Sequence, residues 1–173
     1  MKLLVNGRLD VALAAGTDGV HLPGDAIPPS EARRILPAGS LVGRSVHHDD
    51  ELRAAHDADY LFLGPVFDTP SKRAFGEPQG VRRLAEVCSR AGRPVIAVGG
   101  ITAARVSEVL GAGAAGVALI GAVLDAPDPG QAVAEILAAL RQARMGGGLA
   151  SPLRPNDPAS RIRPVDPGGS GQA

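Results

Sequence analysis

Residues 95–101, VIAVGGI, set a short apolar run against two glycines, with Thr102 and a helix-like pattern from Ala103 onward. An apolar run of this length bounded by turn residues suits a parallel strand covered on both faces. Gly99 and Gly100 let the main chain approach a ligand without Cβ atoms in the way, and Thr102 stands where it can cap the next helix. Together they predict an anion site at the carboxyl end of the strand. Residues 116–123, GVALIGAV, repeat the arrangement. Two neighbouring strand ends of this kind point to one shared, phosphate-sized pocket, whereas an isolated Gly-Gly also serves as a plain βα turn.

Outward from this stretch, strand-like runs at 2–5, 19–22, 41–45, 60–63, 95–98 and 117–120 alternate with helix-like segments at 9–15, 30–36, 49–56, 81–90 and 103–110. Alternation at this spacing predicts right-handed βαβ crossovers and a parallel sheet whose ligands lie at the carboxyl ends of the strands. An open doubly wound sheet carries its glycine fingerprint after the first strand. Here the first strand is followed by Asn6-Gly7-Arg8, and the glycine-rich turns follow the last two strands. That placement favours an α/β fold of the (β/α)8 TIM-barrel type, whose phosphate sites lie after its last strands, with six strands present. A further helical pattern at 131–144 closes on Gly146, Gly147 and Gly148. Residues 1–145 read as one domain and residues 146–173, rich in Pro and Gly with few apolar side chains, as a disordered tail.

The chain has 173 residues with 45% hydrophobic content, enough for one sizeable core. A formal net charge of zero, scattered basic residues and 2% aromatic content argue against a nucleic-acid face. Cys88 is the only cysteine, so neither an intrachain disulfide nor a cysteine-based metal cluster is expected. No apolar run approaches the length of a membrane span. A soluble, cytoplasmic protein is the expectation.

Polar residues cluster at the predicted strand ends: Asn6 with Arg8, His21 with Asp25, Ser45 with His47, and Thr69, Ser71, Lys72 and Arg73 in the long connection 63–80. Convergence from separate strands is what builds an active site. Each residue singly has a plainer reading. Arg8 can cap its own helix, His21 can be a hydrogen-bonded core histidine, and His47 and His48 before Asp49-Asp50 can form a capping cluster. No spacing among them matches a zinc motif. Thr69 and Ser71 can donate to phosphate oxygens, and Lys72 is a flexible point charge suited to a polyphosphate.

The strings VNGRLDVALAAGTDGVHL (5–22), GRSVHH (43–48), DADYLFLGPVFDTPSK (57–72), VIAVGGI (95–101) and GVALIGAV (116–123) occur in this order. In that order the chain resembles the thiamine phosphate synthase and thiazole tautomerase superfamily. The resemblance implies a (β/α)8 barrel entered at its third strand, without the first two βα units and the pyrophosphate-gripping motif they carry. It implies transfer of a hydroxymethylpyrimidine from its diphosphate to a thiazole phosphate, with magnesium as cofactor and these two phosphate esters as the small-molecule partners. By position, Lys72 and Ser45 would be catalytic, and Asn6, Thr69, Ser71, Gly99, Gly100, Ile120 and Gly121 would bind substrate. The chain departs from the family at Gly7 and Ala26, where synthases carry magnesium-binding aspartates, so no metal ligand is assigned. It also has Pro65 where the tautomerase has its catalytic histidine. Three readings therefore stand: a synthase, a tautomerase using His21 or His47 as base, and a non-catalytic phosphate-ester binder. With six units, two sheet edges would be open, and pairing with a second copy is a further expectation.

Overall fold

The computed structural model describes residues 2–70 and 77–146. Strands β1 (Leu4–Asn6), β2 (Gly19–Leu22), β3 (Leu41–Val46), β4 (Tyr60–Leu63), β5 (Val95–Val98) and β6 (Gly116–Ala118) alternate with helices α1 (Leu9–Ala15), α2 (Pro29–Ile35), α3 (Asp49–Ala54), α4 (Gly80–Arg90) and α5 (Val106–Gly111). Two more helices, α6 (Gly121–Leu124) and α7 (Pro129–Gly146), follow β6. All six strands are parallel and pair in chain order, β1-β2-β3-β4-β5-β6. A doubly wound sheet must reverse its strand order at a switch point. This one never does, so the sheet follows the barrel-type progression expected from the glycine positions.

The predicted elements differ from the observed ones mainly at their ends. The first strand starts at Leu4, because the Asp18 carboxylate takes the Leu3 N–H at 2.8 Å and pairs with Lys2 at 2.6 Å, holding that segment by a side chain. The segment 103–110 divides into a 3-10 turn at Ala103–Arg105 and α5. The last strand ends at Ala118, and Gly121–Leu124 form a helical turn that the pattern did not reveal. Ser71, Lys72, Arg73 and the tail from residue 147 lie outside the described residues.

Strand side chains alternate between faces, and the two faces differ in character. On the helix-covered side Val20, Leu22, Val42, Leu61, Leu63 and Ala97 are fully buried. They form two apolar clusters, one under β1–β3 with Ala12 and Ala32, the other extending across β4–β6 with Leu84, Val87, Val106 and Val109. The opposite, concave face carries His21, Gly43, Ser45, Tyr60, Phe62, Ile96 and Val98, most of them half-buried. Polar staples lock the strand ends away from the site. Asp59 accepts the Val42 N–H at 2.7 Å and pairs with Arg33, while Arg93 donates to the carbonyls of Ala55, His56 and Ala58. No helix among the described residues is long and apolar enough to cross a membrane.

Candidate functional site

Register brings the concave-face residues into rows. Asn6 stands opposite His21, His21 opposite Gly43 and Gly43 opposite Tyr60; one step along, Ser45 stands opposite Phe62 and Phe62 opposite Ile96. Because Gly43 has no side chain, the Tyr60 ring lies across it: a Cβ there would meet Tyr60 Cζ at 2.2 Å and His21 Nδ1 at 2.6 Å. His21 Nδ1 is thereby 3.2 Å from the Tyr60 hydroxyl, and His21 Nε2 is 2.9 Å from Ser45 Oγ. Phe62 packs on the imidazole with ring centroids 4.3 Å apart. Burial, with the nearby Arg44 charge second, lowers the His21 pKa to about 4, so the ring is neutral at physiological pH. Burial, with Asp59 second, pushes the Tyr60 phenol up to about 12.

At the ends of β5 and β6 lies a cavity of about 340 Å³, lined by Gly99, Gly100, Ile120 and Gly121 and by Thr69 from the connection after β4. The two glycine turns predicted to share a pocket do share one. Gly99 has φ +94° and Gly100 φ +65°, conformations open chiefly to glycine. Their reason goes beyond access for a ligand. A Cβ on Gly99 would meet Pro65 Cα at 2.7 Å, and one on Gly100 would meet the Asp68 carbonyl oxygen at 2.7 Å. The connection after β4 is pressed against this turn, with Val66 N–H donating to Val98 O at 2.9 Å and Phe67 N–H to Gly99 O at 3.1 Å. The N–H groups of Gly100 and Gly121 make no main-chain hydrogen bond among the described residues.

Arg105, which no sequence pattern singles out, lines the same cavity. Its guanidinium lies over the Phe67 ring, 4.3 Å from the centroid, and donates to Gly100 O at 2.6 Å. It is exposed and has no carboxylate partner among the described residues. Asp125 also lines the cavity, with Oδ2 within 2.7 Å of where a Gly121 Cβ would stand. Neither residue belongs to a motif, and only the fold of the turns after β5 and β6 reveals them.

Several expected roles resolve differently. Thr102 occupies the cap position before the 3-10 turn, but its side chain makes no capping bond there; its carbonyl takes the Arg105 N–H. Arg8 stands at the cap position of its helix but makes no side-chain capping bond, and pairs instead with Asp10 at 2.9 and 2.6 Å. The helix after β3 is capped by Glu51, whose carboxylate accepts the N–H groups of His47 and His48. His47 Nδ1 donates to Gly64 O at 2.8 Å, which leaves its Nε2 as the lone-pair nitrogen in the neutral ring. Arg44, buried under the connection after β2, donates to the carbonyls of Gly24, Ala26 and Ile27 and shapes the mouth near Asn6. Asn6 is exposed at the end of β1, Asp25 is exposed in that connection, and Lys72 and Ser71 fall outside the described residues.

A family model described as thiamine monophosphate synthase matches residues 1–123. A thiamine-phosphate synthase from Methanoculleus marisnigri is 49% identical over 127 residues, covering 72% of this chain and 60% of the relative. One from Methanocella arvoryzae is 46% identical over 149 residues, covering 85% and 70%. The solved structure of thiamine phosphate pyrophosphorylase from Pyrococcus furiosus superposes with a TM-score of 0.72 at 34% identity, covering 81% of this chain and 67% of that one. The chain spans only part of the length of the curated relatives it matches, 66% for one from Geobacter sulfurreducens and 30% for a bifunctional thiamine biosynthesis protein from Symbiobacterium thermophilum.

Proposed function

Because this chain belongs to the thiamine monophosphate synthase family, we propose that it binds a thiazole phosphate in the cavity between the two glycine turns and joins it to a hydroxymethylpyrimidine diphosphate, releasing pyrophosphate. The pairing of Gly99-Gly100 with Ile120-Gly121 around one cavity, with the Arg105 guanidinium at its lining, carries this reading. In the proposed reaction the methylene C–O bond breaks with its electron pair leaving on the diphosphate. The thiazole nitrogen then donates its lone pair to the methylene cation, so one C–N bond replaces one C–O bond. Stabilising the departing charge is the main task of such a site. Asn6 and Ser45 are assigned to the diphosphate. Thr69, Ser71 and the main-chain N–H groups around Gly99, Gly100, Ile120 and Gly121 are assigned to the ester phosphate, with Lys72 between the two.

Magnesium takes oxygen ligands, usually one or two of them carboxylates. Near Asn6 the chain offers Gly7 and Ala26, which carry no donor, and an exposed Asp25 in the mouth; no group of three His, Cys, Asp or Glu stands together among the described residues. That donor set does not fit the ion, and the charge on the leaving group is met in this proposal by the chain's own donors. We further propose that the six strands are units three to eight of a (β/α)8 barrel, acting in the cytoplasm, with a second copy of the chain as partner.

Supplying both substrates and following thiamine phosphate and pyrophosphate, with magnesium and with a chelator, tests the reading. Slow product formation insensitive to magnesium is expected. No product under either condition refutes the synthase reading, and robust magnesium-dependent turnover refutes the account of the leaving group. A tautomerase is the second reading, favoured by one observation: the hydrogen bond from His47 Nδ1 to Gly64 O leaves Nε2 as the lone-pair nitrogen of the neutral ring. His21 has both ring nitrogens engaged and its pKa lowered to about 4, which makes it a poor base. Loss of thiazole isomerisation in His47→Ala, with retention in His21→Ala, would favour the tautomerase.

A further inference from the structure

The three side chains Tyr60, His21 and Ser45 come from three adjacent strands and form one hydrogen-bonded chain on the concave face, 3.2 Å and 2.9 Å long in its two links. A neutral imidazole carries one N–H and one lone pair, so the chain can run in only two directions. If Nδ1 holds the proton, it donates to the phenol oxygen and Ser45 donates to Nε2. The phenol proton is then left without an acceptor among the described residues, in a half-buried position. If Nε2 holds the proton, Tyr60 donates to Nδ1, His21 donates to Ser45 Oγ, and the Ser45 proton is the one left over.

Physical chemistry separates the two. A phenol is a far stronger acid than an aliphatic alcohol and hence the better donor, while the serine oxygen is the better acceptor. An unmade bond also costs least where water or a ligand can supply the partner, and Ser45 faces the open side of the sheet. We propose that Tyr60 and His21 are positioning residues that fix the Ser45 hydroxyl as an outward hydrogen-bond donor, so that this point of the site selects an acceptor oxygen of a bound diphosphate. Only the identity of that ligand rests on the synthase reading; the direction of the chain does not. The charged groups around the ring are Arg44, on the strand between, and Asp59, beside Tyr60, and with burial they favour a neutral imidazole and a protonated phenol.

The direction is read by nitrogen NMR of the histidine side chains in the intact protein, which distinguishes a protonated from an unprotonated ring nitrogen. His21 is expected as the Nε2–H form, and Tyr60→Phe is expected to populate the Nδ1–H form. Gly43→Ala gives a second route, since its Cβ would meet the far end of the Tyr60 side chain and His21 Nδ1 together and break the same link. His21 found as Nδ1–H in the unsubstituted protein overturns the proposal. The ligand is tested with inorganic pyrophosphate as probe. Ser45→Ala should weaken its binding by about tenfold and Tyr60→Phe by about threefold, as expected for losing and for misorienting one bond to a charged group. Tyr60→Phe should add nothing in the Ser45→Ala background. Independent, multiplying effects, or no pyrophosphate binding at all, overturn the assignment of Ser45 as donor to a diphosphate. Thiamine phosphate formation with an Nδ1–H His21 would sink this inference alone, and an Nε2–H His21 with coupled pyrophosphate binding but no product would sink the synthase reading alone.

Discussion

Replacing Arg44 with methionine keeps the length and much of the apolar stem but removes the fork that holds the connection after β2. The guanidinium makes three bonds there, to Gly24 O at 2.7 Å and to Ala26 O and Ile27 O at 2.9 Å. Bonds to a charged group contribute about 1.5–3 kcal/mol each, but this connection is partly exposed and its carbonyls can turn to water, so about 1 kcal/mol apiece is the better figure. Against this, Arg44 Nε is buried with no hydrogen-bond partner among the described residues, and removing it relieves about 1 kcal/mol. The net expectation is a loss of about 2 kcal/mol, equivalent to a fall of roughly 6 °C in Tm for a domain of this size. A second readout comes from His21. The Arg44 charge is one of the two causes of its low pKa, so the substitution should raise its titration midpoint from about 4. Arg44→Lys serves as control, keeping the charge but not the fork: His21 should stay low while part of the stability is lost. Thermal melts and NMR titration of His21 measure both. If Arg44→Met melts within about 1 °C of the unsubstituted chain, and His21 titrates unchanged, the clamp does not hold the mouth and the reasoning fails.

Three other outcomes are expected. Gly100→Ala forces a side chain into a left-handed φ and against the Asp68 carbonyl, and should cost at least about 2 kcal/mol in urea denaturation; a neutral result would mean the connection after β4 is not pressed on this turn. Arg105→Ala should weaken thiazole phosphate binding about fivefold while leaving the unphosphorylated alcohol unaffected, and Asp125→Asn should strengthen it about twofold, because both charges are exposed and screened; calorimetric titration giving the opposite order would remove the phosphate from this cavity. Between pH 6.5 and about 4 the unfolded His21 binds a proton that the folded one refuses, so its contribution is complete above 6.5 and is lost as pH falls toward 4. Discounted for partial exposure this is on the order of 1–2 kcal/mol, and His21→Gln should flatten that part of the stability–pH curve; an unchanged slope would show that the folded ring is not held neutral.

The order of strands and helices, and the two glycine turns that face one cavity, were legible in the chain because they are written in local pattern. A four-residue apolar run and a following helical stripe declare themselves within a dozen residues, and their alternation leaves few topologies. Asn6, Ser45, Gly99 and Gly121 could be selected because they stand at strand ends, where barrel chemistry gathers. Tertiary structure alone decided what those residues meet. Strand register set Tyr60 against His21, 39 positions earlier, and the missing side chain of Gly43 let the phenol reach it. The same holds for Arg105, which reaches the cavity from a 3-10 turn with no motif, and for Gly100, whose freedom is required by the Asp68 carbonyl as much as by any ligand. Such contacts depend on which atoms of distant segments fall within 3 Å of each other, and no local pattern of residue types carries that distance.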